Sequence, residues 1–167
     1  MKSPGSADPL RKVMDAAYRI LSIRSRSVEE LKEKLKGKGF SESLIAQGVA
    51  LLKERGYLND GDFALEFARY LLRIRSFGIV SIVEELRRRG IPPGIIRGAV
   101  NVIKSEMDEM ELLARSLHGR LRGMDPAKLD EKGKRRIVQY LYRKGFALGR
   151  IYEVLKMKSR ETSHDDR

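Results

Sequence analysis

Three segments of this chain lie in register with one another: Leu35-Lys36-Gly37-Lys38-Gly39-Phe40, Leu86-Arg87-Arg88-Arg89-Gly90-Ile91 and Leu141-Tyr142-Arg143-Lys144-Gly145-Phe146. Each carries a Leu, a basic residue directly before a Gly, and a large apolar residue after it, with Gly steps of 51 and 55 residues. The register extends outward without gaps. Leu31, Ile82 and Ile137 precede the Leu, while Ile45, Ile96 and Ile151, then Val49, Val100 and Leu155, follow the Gly. A repeat of this length constrains the fold more than composition does, because each unit is one supersecondary piece that stacks on its neighbours.

Each unit reads as helix, turn, helix. Ser27 followed by Glu30 is a capping box, and Gly78 and Gly133 stand in register with Ser27 as candidate N-caps. Leu31 and Leu35 fall on one helical face, and Gly39 supplies the left-handed residue that stops the helix. Ser41 then caps a second helix, with Phe40 and Ile45 as a hydrophobic staple, and Pro93 suits a first helical turn in the second unit. A further helix precedes each pair, with apolar residues at helical spacing: Met14, Ala17, Tyr18 and Leu21, then Ala64, Phe67, Ala68 and Leu71, then Met110, Leu113, Ala114 and Leu117. Residues 77–83 are β-branched enough to suggest a strand, but their register with the other units favours helix. Units of about 50 residues are marginal alone and should share apolar surface. The expected architecture is all-α: an elongated array of three tandem three-helix repeats at 10–58, 59–104 and 105–158, with disordered ends at 1–9 and 159–167.

Composition narrows the function. Of 167 residues 35% are charged, and 35 Lys and Arg against 23 Asp and Glu leave +12, which makes polyanions the first partners to consider. The excess is distributed: 12 basic against 7 acidic residues in 1–58, 8 against 5 in 59–105, and 15 against 11 in 106–167. That pattern describes a folded body basic along its length. Without cysteine there is no disulfide, thiolate zinc site or cysteine nucleophile, which fits a cytoplasmic protein, and His118 and His164 alone make a histidine-rich metal site implausible. The longest uncharged run, Ser43–Leu52, is far shorter than the roughly 18 residues of a membrane span. Asp60-Gly61-Asp62 offers only two close carboxylates and reads as an N-cap turn. Ser105, with Asp108 three residues on, is read as the cap of the helix that the acidic run Glu106, Asp108, Glu109 and Glu111 begins. No acid-base pair, P-loop or nucleophile motif is present, so neither enzyme activity nor a cofactor is expected.

The basic residues before the three glycines, Lys38, Arg89 and Lys144, recur at one structural place, where a polyanion crossing the array could touch each in turn. The alternative is that they only offset helix dipoles. Lys36, Arg87 and Arg88 lie beside them. Residues 134–144 hold Lys134, Arg135, Arg136, Arg143 and Lys144 with no acid, which makes the third repeat the strongest electrostatic candidate. Tyr142, in register with Lys36 and Arg87, lies off the core face and is a candidate for stacking on a base.

The segments Arg24-Ser25-Arg26-Ser27-Val28-Glu29-Glu30-Leu31, Gly56-Tyr57-Leu58-Asn59-Asp60 with Phe63-Ala64, and Glu84-Glu85-Leu86-Arg87-Arg88-Arg89-Gly90-Ile91 resemble the RecX family, bacterial regulators of the RecA recombinase. The resemblance covers about residues 16–155, with Tyr140-Leu141-Tyr142-Arg143-Lys144-Gly145-Phe146 as its looser third part. It implies a non-enzymatic monomer that binds in the groove of the RecA filament on single-stranded DNA, with double-stranded DNA as a second candidate partner. It also implies limits on filament extension, strand exchange, ATP hydrolysis and coprotease activity, hence a part in recombination and the SOS response. The rival reading is a transcription regulator, since each helix, Gly turn and helix also resembles a helix-turn-helix.

Overall fold

A computed structural model describes residues 8–162. Residues 1–7 and 163–167, where most of the two expected tails fall, lie outside them. Among the described residues there are nine α-helices and no strand: α1 Pro9–Ile23, α2 Val28–Lys36, α3 Glu42–Glu54, α4 Asp60–Arg73, α5 Ile79–Arg88, α6 Pro93–Glu106, α7 Glu109–Leu121, α8 Glu131–Arg143 and α9 Leu148–Thr162. A single 3-10 turn, Pro126–Lys128, lies between α7 and α8. The tight helix pairings fall within the triplets α1–α3, α4–α6 and α7–α9, which gives three consecutive three-helix units.

Local chemistry accounts for most boundaries. Ser27 Oγ accepts from the Glu30 N–H at 3.1 Å while Glu30 Oε2 accepts from the Ser27 N–H at 3.2 Å, the full capping box. The middle helices end alike. In the first, the Phe40 N–H donates to Leu35 O and the Gly39 N–H to Lys36 O, and the same pair of bonds recurs at Ile91 and Gly90 and at Phe146 and Gly145. This closure requires a left-handed residue, and the three glycines have φ of 85°, 72° and 88°.

Three boundaries differ from the sequence reading. Asp130, not Gly133, caps α8, accepting from the Gly133 N–H at 2.7 Å; a carboxylate satisfies a donor that Gly cannot, so the helix starts one turn earlier. Ser105 does not cap α7. It remains in α6, donating from Oγ to Val102 O, while Asp108 is the cap. The β-branched stretch at 77–83, by contrast, follows its register: it is helical from Ile79, so that Ile82 and Leu86 share one buried face. Residues 159–162 continue α9, where the sequence suggests a tail.

The apolar interior divides unequally. The first repeat closes its own core, with Val13, Ala17, Leu31, Leu35 and Leu52 fully buried. The second and third share one core, in which Ile82, Leu86 and Ile103 join Leu113, Leu141 and Phe146. Apolar surface is therefore shared across the second junction, and the first junction is held by polar contacts.

Candidate nucleic-acid interface

Both junctions use the same parts. The start of the middle helix in one repeat meets the Gly turn of the next. At the first junction, Ser27 Oγ donates to Arg89 O at 2.5 Å, and the Val28 N–H donates to Asp60 Oδ1 at 2.8 Å. Asp60 thus belongs to the junction, while Asn59 caps α4 by accepting from the Gly61 and Asp62 N–H groups. At the second junction the Gly78 N–H donates to Lys144 O at 2.6 Å and the Val80 N–H to Gly145 O at 3.3 Å.

This docking decides the fate of the three cations before the glycines. Arg89 turns inward. Its guanidinium pairs with Glu30 Oε1 at 2.5 Å, lies 4.0 Å from the Phe67 ring centroid, and keeps a buried Nε without a partner. Glu30 also receives Arg24 at 2.9 Å. Burial raises the Glu30 pKa, but the hydrogen bonds from Arg24 and the Ser27 N–H and the charges of Arg89 and Arg24 outweigh it, leaving the carboxyl below its ordinary value. Lys144 is half-buried, its Nζ donating to Arg75 O at 2.5 Å and lying 5.3 and 5.8 Å from the Phe77 and Tyr140 ring centroids. Burial, and then the charge of Arg75, push its pKa down. Lys38 alone of the three is exposed, beside a shallow cleft it shares with Lys12, Arg19 and Asp15. The three positions correspond in the chain but present different surfaces.

Other cations named from the sequence are exposed but paired. Lys36 meets Glu42 at 3.1 Å, Arg87 meets Glu84 at 2.5 Å and Arg88 meets Glu85 at 3.0 Å. Lys134, expected to lack an acid, pairs with Glu131 at 3.2 Å because α8 begins early enough to include that residue. Lys134 and Arg135 also edge a cleft of about 610 Å³ floored by Val138, Tyr152 and Leu155.

The helical period brings the rest together. Lys132, Arg135, Arg136, Gln139, Tyr142 and Arg143 fall on one face of α8, and all six are exposed. Its four cations have no ion-pair partner among the described residues, and Tyr142 is 59% exposed. Lys132 escapes the sequence reading because that reading starts the helix at Gly133. Arg75 escapes it as well, although its signal is present: Arg24-Ser25 recurs 51 residues later as Arg75-Ser76.

The described residues contain no cluster of three or more His, Cys, Asp or Glu arranged to hold a metal, and no helix long and apolar enough to cross a membrane. What the fold and this surface define is an all-α tandem-repeat protein with a cationic helix face. Family profiles for the first, second and third three-helix domains of RecX match residues 14–49, 59–100 and 108–155, so the chain belongs to the RecX family. Among its relatives, Regulatory protein RecX of Trichlorobacter lovleyi is 33% identical over 78% of this chain and 85% of its own length. That of Chlorobaculum tepidum is 32% identical over 90% of each. The crystal structure of RecX from Lactobacillus salivarius shares the fold, with a TM-score of 0.71 at 24% identity over 92% of this chain and 96% of that one.

Proposed function

We propose that this protein is a negative regulator of the RecA recombinase, binding in the groove of the RecA filament on single-stranded DNA. There it limits extension, strand exchange, ATP hydrolysis and coprotease activity, and it carries out no chemistry of its own. Membership of the RecX family across all three repeats supports the role, as do relatives named as regulatory proteins.

The observation that carries the contact surface is the exposed face of α8, where Lys132, Arg135, Arg136 and Arg143 stand without carboxylate partners among the described residues, around Tyr142. Unpaired cations bind phosphates by releasing counterions, and an exposed ring among them stacks on a base of an unpaired strand. Lys36, Arg87 and Arg88 are secondary contacts, since each must leave a surface glutamate, and Lys38 extends the surface onto the first repeat. The test is ATP hydrolysis by a cognate RecA on single-stranded DNA with this protein titrated in. Hydrolysis should fall at substoichiometric protein, and unchanged hydrolysis at equimolar protein rejects the reading.

A further inference from the structure

The 51-residue register pairs Arg24 with Arg75 and Glu30 with Ser81, and the 55-residue step of the Gly signature pairs Arg89 with Lys144. At the first junction these positions form a closed set: the Glu30 carboxylate bridges Arg24 at 2.9 Å and Arg89 at 2.5 Å. At the second junction the two cations are conserved in kind while the carboxylate is replaced by a hydroxyl. Arg75 and Lys144 lie 5.7 and 5.3 Å from the same Phe77 ring centroid, close enough for the charge of Arg75 to disfavour protonation of Lys144. No carboxylate among the described residues ion-pairs with either one.

Two like charges brought together with one half-buried amine are costly unless an anion joins them. The N–H groups of Gly78 and Val80 at the start of α5 are already taken by Lys144 O and Gly145 O, so the helix end is not the attraction. What is missing is the charge that Glu30 supplies at the other junction. Arg75 is exposed, and Lys144 and Ser81 are partly so, which leaves the place within reach of solvent.

We infer that the junction of the second and third repeats is a phosphate site, in which Arg75 and Lys144 hold a phosphodiester of single-stranded DNA where the first junction holds its own carboxylate. This rests on the proposed action at a DNA filament and adds to the α8 face a contact with a different origin. The guanidinium of Arg75 offers a planar pair of donors to phosphate oxygens, and Lys144 adds a point charge. Ser81, where Glu30 stands in the first junction, brings no charge to compete with the phosphate.

The substitution Ser81→Glu tests this, because it installs the acid of the first junction in the second. Binding of fluorescently labelled oligo(dT) to the full-length protein, measured across a salt series, should weaken about fivefold at 0.1 M salt, with the log-log slope shallower by about 0.7, the value for one contact to a single strand. The exposed Arg75→Gln should lose the same amount, and combining the two should lose no more than either alone. Folding is checked by far-ultraviolet circular dichroism, and Arg75→Gln, which retains the backbone carbonyl that Lys144 uses, serves if Ser81→Glu fails to fold. Wild-type affinity and slope in a folded variant overturn the site. If the wild-type chain suppresses RecA ATP hydrolysis while these variants bind oligo(dT) unchanged, the phosphate site alone is rejected; if the wild-type chain leaves hydrolysis unchanged, the proposed function falls.

Discussion

Gly78 of the second repeat and Gly145 of the third meet backbone to backbone: a Cβ on Gly78 would lie 2.4 Å from the Gly145 carbonyl oxygen, and a Cβ on Gly145 would lie 2.4 Å from the Ser81 nitrogen. Gly90 instead receives the Glu29 side chain, with 2.5 Å between the added Cβ and that of Glu29, whereas a Cβ on Gly39 meets open space. The Gly turn therefore has two duties in the second and third repeats, ending a helix and accepting the preceding repeat. In the first repeat it has only one.

The glycines should accordingly differ in substitution cost. Gly39→Ala loses only the left-handed preference, about 1 kcal/mol. Gly145→Ala adds a backbone clash that must be relieved by parting the repeats, with a total of about 3 kcal/mol or more. Urea unfolding of both variants checks this, and equal losses would show that docking at the turn contributes nothing.

Arg89 and Lys38, equivalent in the chain, should separate in the same way. Arg89→Gln breaks the Glu30 pair and leaves that carboxylate half-buried, at a cost of about 1–3 kcal/mol. Lys38→Gln should change stability by under about 0.5 kcal/mol, as exposed substitutions do. Thermal unfolding of the two variants side by side decides between them.

Glu30 links the first junction to pH. Its pKa is depressed in the folded protein, so its contribution is fully present above the ordinary glutamate value of about 4.3 and is lost as pH falls through the lower folded value. Glu30→Gln should thus be less stable than wild type at pH 6, with the gap narrowing at pH 3. A gap independent of pH would mean that the carboxylate charge is not what holds the junction.

Replacing Arg135, Arg136 and Arg143 together with Gln should leave folding unchanged, since all three are exposed and without acid partners among the described residues. Oligo(dT) affinity should drop and its log-log salt slope become shallower by about 2, at roughly 0.7 per lost phosphate contact. Fluorescence anisotropy on the folded variant reads both quantities. An unchanged slope removes the α8 face as the contact surface.

The helices were legible in the chain because their signals are local. The Ser27 and Glu30 box and the glycines at 39, 90 and 145 act within one turn of the residues they cap, and the buried faces of Leu31 with Leu35 and Ile82 with Leu86 follow from period alone. The repeat made even the β-branched stretch at 77–83 readable as helix. Where the register misled, at Gly133, a nearby carboxylate on Asp130 outcompeted a glycine that has no side chain to offer.

The standing of each cation was decided by tertiary structure. A basic residue before a Gly is written identically in all three repeats, but its surroundings come from the preceding repeat, about 60 residues away in sequence for Glu30 with Arg89 and 69 for Arg75 with Lys144. Whether that neighbour brings a carboxylate, a carbonyl or open water sets whether the charge is spent inside the protein or left for a partner. Lys38 lies in open water, Arg89 meets an acid, and Lys144 meets a carbonyl and another cation. Local sequence determines where a helix stops, because hydrogen bonds act over one turn; what its last cation does depends on the neighbouring repeat, because charge and burial act through space.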